Sequence, residues 1–338
     1  MQKSIHFIED NTGLSLGEIQ YFLSYQHDNR TALDLTRDYI LNSTSEVIQK
    51  KGLEFLYMNG YYEELQLLIK KNLESMHTSN KTWGAIYQIM VDCCLKKDSP
   101  QNLLERLQYI HSNEAEIKCL VEFTRIYIYF SLRDYEEVGS FLVEQPYLFE
   151  AIEDDFILSY FKLRLHQSLF IYYWIRNELI IARKYAYRAL TKTNNEKIIA
   201  SLHNNLGLSY IFDHFTQGKF HLTKALKIAK KNKLHNLIHI IEQQNIPFLC
   251  AHFKKTNGIS SVEKSEQAHI EIAKGNYSKA VELLRNLSMD NPFTLYYMGV
   301  ATEDKHMLYK SYNYFIEKES NYFFSRLPLR ALKDVGVG

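Results

Sequence analysis

Cysteine, proline and glycine are all scarce, and an excess of charge of one sign is missing altogether. The 338 residues contain 4 cysteines, 5 prolines and 13 glycines. Cys93, Cys94, Cys119 and Cys250 form no C-x-x-C pair, so a zinc ribbon, a dithiol redox motif and a disulfide scaffold are all unsupported. Their rarity fits a reducing compartment. So few prolines and glycines cannot supply the turns of a β-sandwich or the linkers of a disordered chain. Lys plus Arg number 40 against 39 Asp plus Glu, which removes any global nucleic-acid signature. The start, MQKSIHFIED, carries acids where a secretory signal would need an apolar run, and the apolar run Leu169–Ile175 is far too short to span a bilayer. A cytoplasmic location is the expectation.

Motifs of chemistry are missing too. There is no phosphate loop, no G-x-S-x-G and no G-x-G-x-x-G. His235, His239 and Glu242 fall on one side of a helix, but their order is not that of a zinc protease, and they read as polar surface. His166 and His203 stand alone. Cys93 lacks a sequence-evident histidine partner and reads as a packed thiol. No enzyme, no metal and no cofactor are expected.

Aromatic residues, by contrast, are abundant: 25 Tyr and 19 Phe. Apolar residues recur at intervals of three and four from end to end, as in Phe55, Leu56, Leu65, Leu67, Leu68 and Ile69, whereas strand signals are rare. The stretch Glu266–Pro292 sets small Ala268 and Gly275, aromatic Tyr277, small Ala280 and apolar Leu284 before a proline. That is the skeleton of one tetratricopeptide repeat, a helix pair of about 34 residues whose small positions permit close approach and whose proline stops the second helix. Weaker copies of the inter-helix turn read at Gly60-Tyr62-Leu65, Asp134-Tyr135-Val138 and Gly218-Phe220, with Leu206-Gly207 and Tyr210 in the helix before the last. Ser15-x-x-Glu18 and Ser43-x-x-Glu46 read as capping boxes. The fold expected is an all-α, tetratricopeptide-like right-handed α-solenoid. Such a stack offers a groove, so recognition is expected in place of catalysis.

Charge is uneven locally. Residues 201–260 carry eight lysines (Lys219, Lys224, Lys227, Lys230, Lys231, Lys233, Lys254, Lys255) against Asp213 and Glu242, while residues 1–50 hold four basic and seven acidic residues. The lysines read as solvated helix ends or as a surface for an acidic partner or nucleic acid.

Four further segments, Thr36-Arg-Asp-Tyr-Ile-Leu-Asn42, Arg183-Lys-Tyr-Ala-Tyr-Arg-Ala-Leu190, Glu266-Gln-Ala-His269 and Ser325-Arg-Leu-Pro-Leu329, resemble the AimR-type arbitrium receptors of Bacillus phages in order and spacing. The resemblance covers roughly residues 5–332. It implies a helix-turn-helix head, a repeat superhelix that binds a short signalling peptide in its groove, homodimer formation, and control of the lysis–lysogeny choice. Lys3–Asp10 is similar to the recognition helix and Ser15–Gln26 to the helix after it, with no preceding helices, so segment 1–43 is expected to be a truncated head and 44–338 the repeat domain. A recognition helix without its bracing helix has no fixed angle in the groove, and specific duplex binding is expected to be weak or absent; no DNA-binding residues are assigned. The family's terminal dimer helix has no counterpart after Ala331–Gly338. For the peptide site, the resemblance implies Glu266 for a peptide arginine, Lys197 for the peptide carboxylate and Phe323 as an apolar wall; Asn204 and Asn205 lie near two positions that have lost the family's polar side chains and offer amides to the peptide backbone in their place. Asn321 stands where the family has an acid, and Ile171 and Leu208 where it has polar residues. The alternative is a protein-interaction module, a divergent paralogue without DNA binding.

Overall fold

The computed structural model describes residues 13–135 and 137–336. The suggested recognition helix at Lys3–Asp10 lies outside the described residues. Among them every regular element is a helix and there is no strand. No helix is long and apolar enough to cross a membrane. The chain divides into two compact units, Met1–Ser168 and Leu169–Gly338.

In the first unit, helices Leu16–Gln26, Asn29–Asn42, Glu46–Asn59, Tyr62–Leu73, Thr78–Cys94, Pro100–Gln108, Ala115–Ser131 and Glu137–Glu150 follow one another through short turns. Ser15 and Glu18 form the capping box read from the sequence: Ser15 Oγ accepts from the Glu18 N–H at 3.3 Å and Glu18 accepts from the Ser15 N–H at 2.8 Å. The Ser43 box is not formed. Ser45 is the N-cap of Glu46–Asn59, and Ser43 instead closes the helix before it, because the turn between the two is only three residues long. Gly60 adopts φ 87°, the left-handed conformation that ends Glu46–Asn59 at the expected turn. A charged pair lies in the core of this unit. Arg164 clasps the fully buried Glu54 with two bonds of 2.8 and 2.7 Å, lies 4.5 Å over the Tyr57 ring, and shares Glu54 Oε2 with the Tyr87 hydroxyl. Burial by itself would lower the Arg164 pKa, but the Glu54 charge beside it holds it above the usual value.

The second unit runs through Leu179–Leu190, Glu196–Ser209, Phe215–Lys231, His235–Ile240, a π-turn at Ile241–Asn245, Ile246–His252, Lys264–Ala273, Tyr277–Leu284, Pro292–Thr302, Lys305–Asn313 and Arg326–Gly336. The repeat read at Glu266–Pro292 is the antiparallel pair Lys264–Ala273 and Tyr277–Leu284, with Gly275 at φ 83° in the turn and Ala268 and Ala280 fully buried where the helices meet. Pro292 does not stop the second helix, which ends at Leu284. It opens the next helix at a first-turn position, where a missing N–H leaves no bond unmade, under an Asn291 cap. The Gly218 turn is also misplaced by the sequence reading. Gly218 lies inside Phe215–Lys231 and the turn falls at Tyr210–His214. Gly218 is small because neighbouring helices face it: a Cβ there would come within 3.0 Å of Leu249 Cδ1 and 3.1 Å of the Gly207 carbonyl oxygen.

Candidate functional site

Every residue proposed for the site belongs to the second unit. Helix Lys264–Ala273 carries Glu266, about nine-tenths buried. Its Oε1 accepts from the Tyr297 hydroxyl at 3.2 Å. Its Oε2 is buried with no hydrogen-bond partner, and the nearest polar atom opposite is His269 Nδ1 at 3.7 Å, itself without a hydrogen bond. His269 stacks on Tyr297 with centroids 4.5 Å apart. Burial, then the Glu266 charge, push the Tyr297 pKa well above its usual value, so the hydroxyl stays a donor to the carboxylate. The carboxylate is therefore half satisfied. Its free oxygen keeps its demand for a cation or a strong donor, because a buried charged acceptor left unbonded is costly.

His269 also lines a cavity of about 500 Å³, bordered by His252, Tyr296, Lys254, Glu303 and Arg330 among others. Glu266 stands behind the imidazole and is not part of that wall.

Lys197 opens helix Glu196–Ser209, whose Asn195 cap accepts from the Lys197 and Ile198 N–H groups. One face of that helix carries Lys197 and, seven residues on, Asn204. The Asn204 carboxamide is buried. It accepts from Asn245 at 2.7 Å and donates to Asn205 at 3.1 Å, which makes a chain of three amides. Asn205, Ile171 and Leu208 are half-buried.

Asn321 and Phe323 lie deeper. The Asn321 side chain accepts from the Phe324 N–H at 3.0 Å and so holds its own turn. Phe323 has no exposed surface; its N–H donates to the Ile175 carbonyl at 2.9 Å, and its ring packs edge-on against Trp174 and Phe212. It continues through Phe324 and Phe248 to His269 as a run of ring contacts of 5.0, 6.2 and 5.2 Å. Phe323 thus shapes the site through these rings without offering a surface of its own.

Three contributors were not singled out from the sequence: Asn245, His269 and Tyr297. Only Asn245 left a signal. It sits two residues before Pro247, whose missing N–H removes a helical bond, and the backbone widens into the π-turn that brings Asn245 to Asn204. His269 lies one turn after Glu266 on the same helix, and helix Pro292–Thr302 brings Tyr297 beside both.

His203 and His221 meet at 2.9 Å between their Nδ1 atoms, and burial, then Lys224, hold both pKa values down to about 4. His239 bonds to Glu263 at 2.9 Å and Glu242 pairs with Lys230 at 2.5 Å, and among the described residues no cluster of potential metal ligands forms. All four cysteines are free thiols.

The fold defines an all-helical repeat protein, here with a buried, half-satisfied carboxylate, and comparison with known proteins agrees with that fold class. The solved structure of phAimR-Ligand superposes with a TM-score of 0.78 over 96% of this chain and 98% of that one, at 21% identity. The AimR transcriptional regulator of Bacillus phage SPbeta is 26% identical over 316 residues, covering 90% of this chain and 81% of its own. That of Bacillus phage phi3T is 23% identical over 300 residues, covering 85% and 78%. The model of the AimR transcriptional regulator-like family matches residues 32–334, and the chain belongs to that family.

Proposed function

We propose that this chain is a peptide-responsive transcriptional regulator of the phage lysis–lysogeny type, acting in the cytoplasm, in which Glu266 receives a cationic side chain of a short signalling peptide. The observation that carries the reading is the buried Glu266 Oε2 without a hydrogen-bond partner. An arginine suits it because a guanidinium offers parallel donors to a carboxylate. Lys197 takes the peptide carboxylate, and Asn204 and Asn205 pair with its backbone. Asn321 contributes a turn in place of a second negative charge, so the peptide is held by fewer ionic contacts than in relatives with an acid there. Segment 1–43 serves as the head and 44–338 as the receptor. The test is calorimetry of the full chain with a pool of hexapeptides carrying one fixed arginine, against the same pool with norleucine in its place. Selective binding of the arginine pool, lost in Glu266→Gln, supports the reading. Equal binding of both pools, or none, overturns it.

A further inference from the structure

The eight lysines of residues 201–260 are not equivalent once folded. Lys230 is neutralised by Glu242 at 2.5 Å and Lys231 by Glu196 at 3.0 Å. Lys219 and Lys255 rest instead over the ring of Phe215, 5.8 and 4.2 Å from its centroid. From Phe215 a row of edge-on rings continues, to Phe253 at 5.5 Å, to His252 at 5.4 Å and to Phe212 at 5.4 Å. At the far end the guanidinium groups of Arg326 and Arg330 lie 4.2 and 4.6 Å over Phe212. Lys219, Lys255 and Arg330 are exposed. Of the two acids of the same stretch, Asp213 binds Arg183 at 2.6 Å while also facing Arg326, and Glu242 binds Lys230.

Positive charge is crowded along this row. Burial and then the neighbouring Arg330 lower the Arg326 pKa. Burial, then His269, Arg330 and Arg326, hold His252 down to about 4. Four cations rest on ring faces; Arg326 also donates to Asn177 Oδ1 at 2.8 Å, and the exposed Lys219, Lys255 and Arg330 keep donors for an anion. Among the described residues none of the four cations is in an ion pair, although Asp213 faces Arg326 and Glu303 and Asp334 line the cavity that Arg330 borders; the packed rings hold the cations in place.

We propose that the row from Lys219 and Lys255 to Arg326 and Arg330 is a phosphate-contacting surface that holds the backbone of duplex DNA without reading its sequence. The inference rests on the reading of the chain as a transcriptional regulator and adds a contact remote from the N-terminal segment. A duplex is favoured over single strands because cations already lie over the Phe212 and Phe215 rings, where bases would stack. It is favoured over an acidic protein segment because rigidly held cations match a stiff polyanion, whereas a flexible segment would lose entropy on ordering.

The experiment is fluorescence anisotropy of the full chain on a short duplex of arbitrary sequence, across a salt titration. Lys219→Gln/Lys255→Gln and Arg326→Gln/Arg330→Gln should each reduce the log–log salt slope by about 2, one per lost phosphate contact. Lys230→Gln/Lys231→Gln, which alters lysines that are already paired, should change it by less than half as much. Arg326→Lys/Arg330→Lys should restore the slope, which separates loss of charge from loss of fold. The proposal is overturned by absence of duplex binding at low salt, by unchanged slopes in both strip variants, by an equal loss in the Lys230/Lys231 variant, or by polyglutamate binding more tightly than the duplex. Arginine-pool calorimetry on the Lys219→Gln/Lys255→Gln protein keeps the two readings distinguishable. Peptide binding without duplex binding sinks the surface alone, and duplex binding without peptide binding sinks the receptor reading alone.

Discussion

Replacing Glu266 by glutamine should stabilise the free protein while damaging recognition. In the free protein the carboxylate keeps one bond, from Tyr297 at 3.2 Å, and buries its second oxygen beside an unbonded His269 Nδ1 at 3.7 Å. Glutamine preserves the shape and the Tyr297 bond and removes the uncompensated charge. The penalty for an unsatisfied buried polar group is about 1–3 kcal/mol, which for a unit of this size corresponds to a rise in Tm of roughly 2–12 °C at 2–4 °C per kcal/mol. In the complex the same change deprives a cationic side chain of its partner, which costs about 2–5 kcal/mol of affinity when one half of a buried charge pair is lost. At 1.4 kcal/mol per decade that is a weakening of roughly 30- to 3,000-fold. Differential scanning calorimetry and titration calorimetry on one preparation give both numbers. A fall in Tm together with unchanged affinity for the arginine-bearing pool would refute the reasoning, since Glu266 would then be an ordinary structural acid.

Three further outcomes are expected. In the first unit, Arg164→Met should destabilise by about 3–5 kcal/mol because it strands the Glu54 charge, and Glu54→Leu/Arg164→Met should recover most of that loss; denaturant unfolding checks this, and a double variant no more stable than the single would contradict it. Gly207→Ala should cost about 1–3 kcal/mol by overpacking, since its Cβ would fall 2.6 Å from Leu222 Cγ and 3.0 Å from the Gly218 carbonyl oxygen; an unchanged melting temperature would show that Leu222 yields freely. Finally, His203 and His221 have folded pKa values of about 4 against an ordinary 6.5, so the neutral pair stabilises fully above about 6.5, and that contribution is lost as pH falls toward 4. Thermal melts over that window should show a declining midpoint that flattens in His203→Gln/His221→Asn, and an equal decline in the variant would assign the effect to other groups.

The sequence by itself determined the class of structure. Apolar spacing of three and four, with few glycines and prolines, leaves helices as the only regular way to bury these side chains, and the Ser15 box, the Gly60 and Gly275 turns and the small Ala268 and Ala280 are local signals that act within one helix pair. Where two local signals competed, the sequence was less decisive. Ser43 and Ser45 can each cap a helix, and Pro292 fits either after one helix or at the start of the next. Tertiary structure alone decided the environment of each polar group. Glu266 gains its Tyr297 partner only because helix Pro292–Thr302 packs beside it, Asn204 gains Asn245 through a π-turn, and Phe323 sinks into a cluster with Trp174 and Phe212. The eight lysines are alike in the chain. Packing set some beside carboxylates and others over aromatic rings, because the strength of a charge depends on what lies within a few ångströms of it, and that neighbourhood comes from residues distant in sequence.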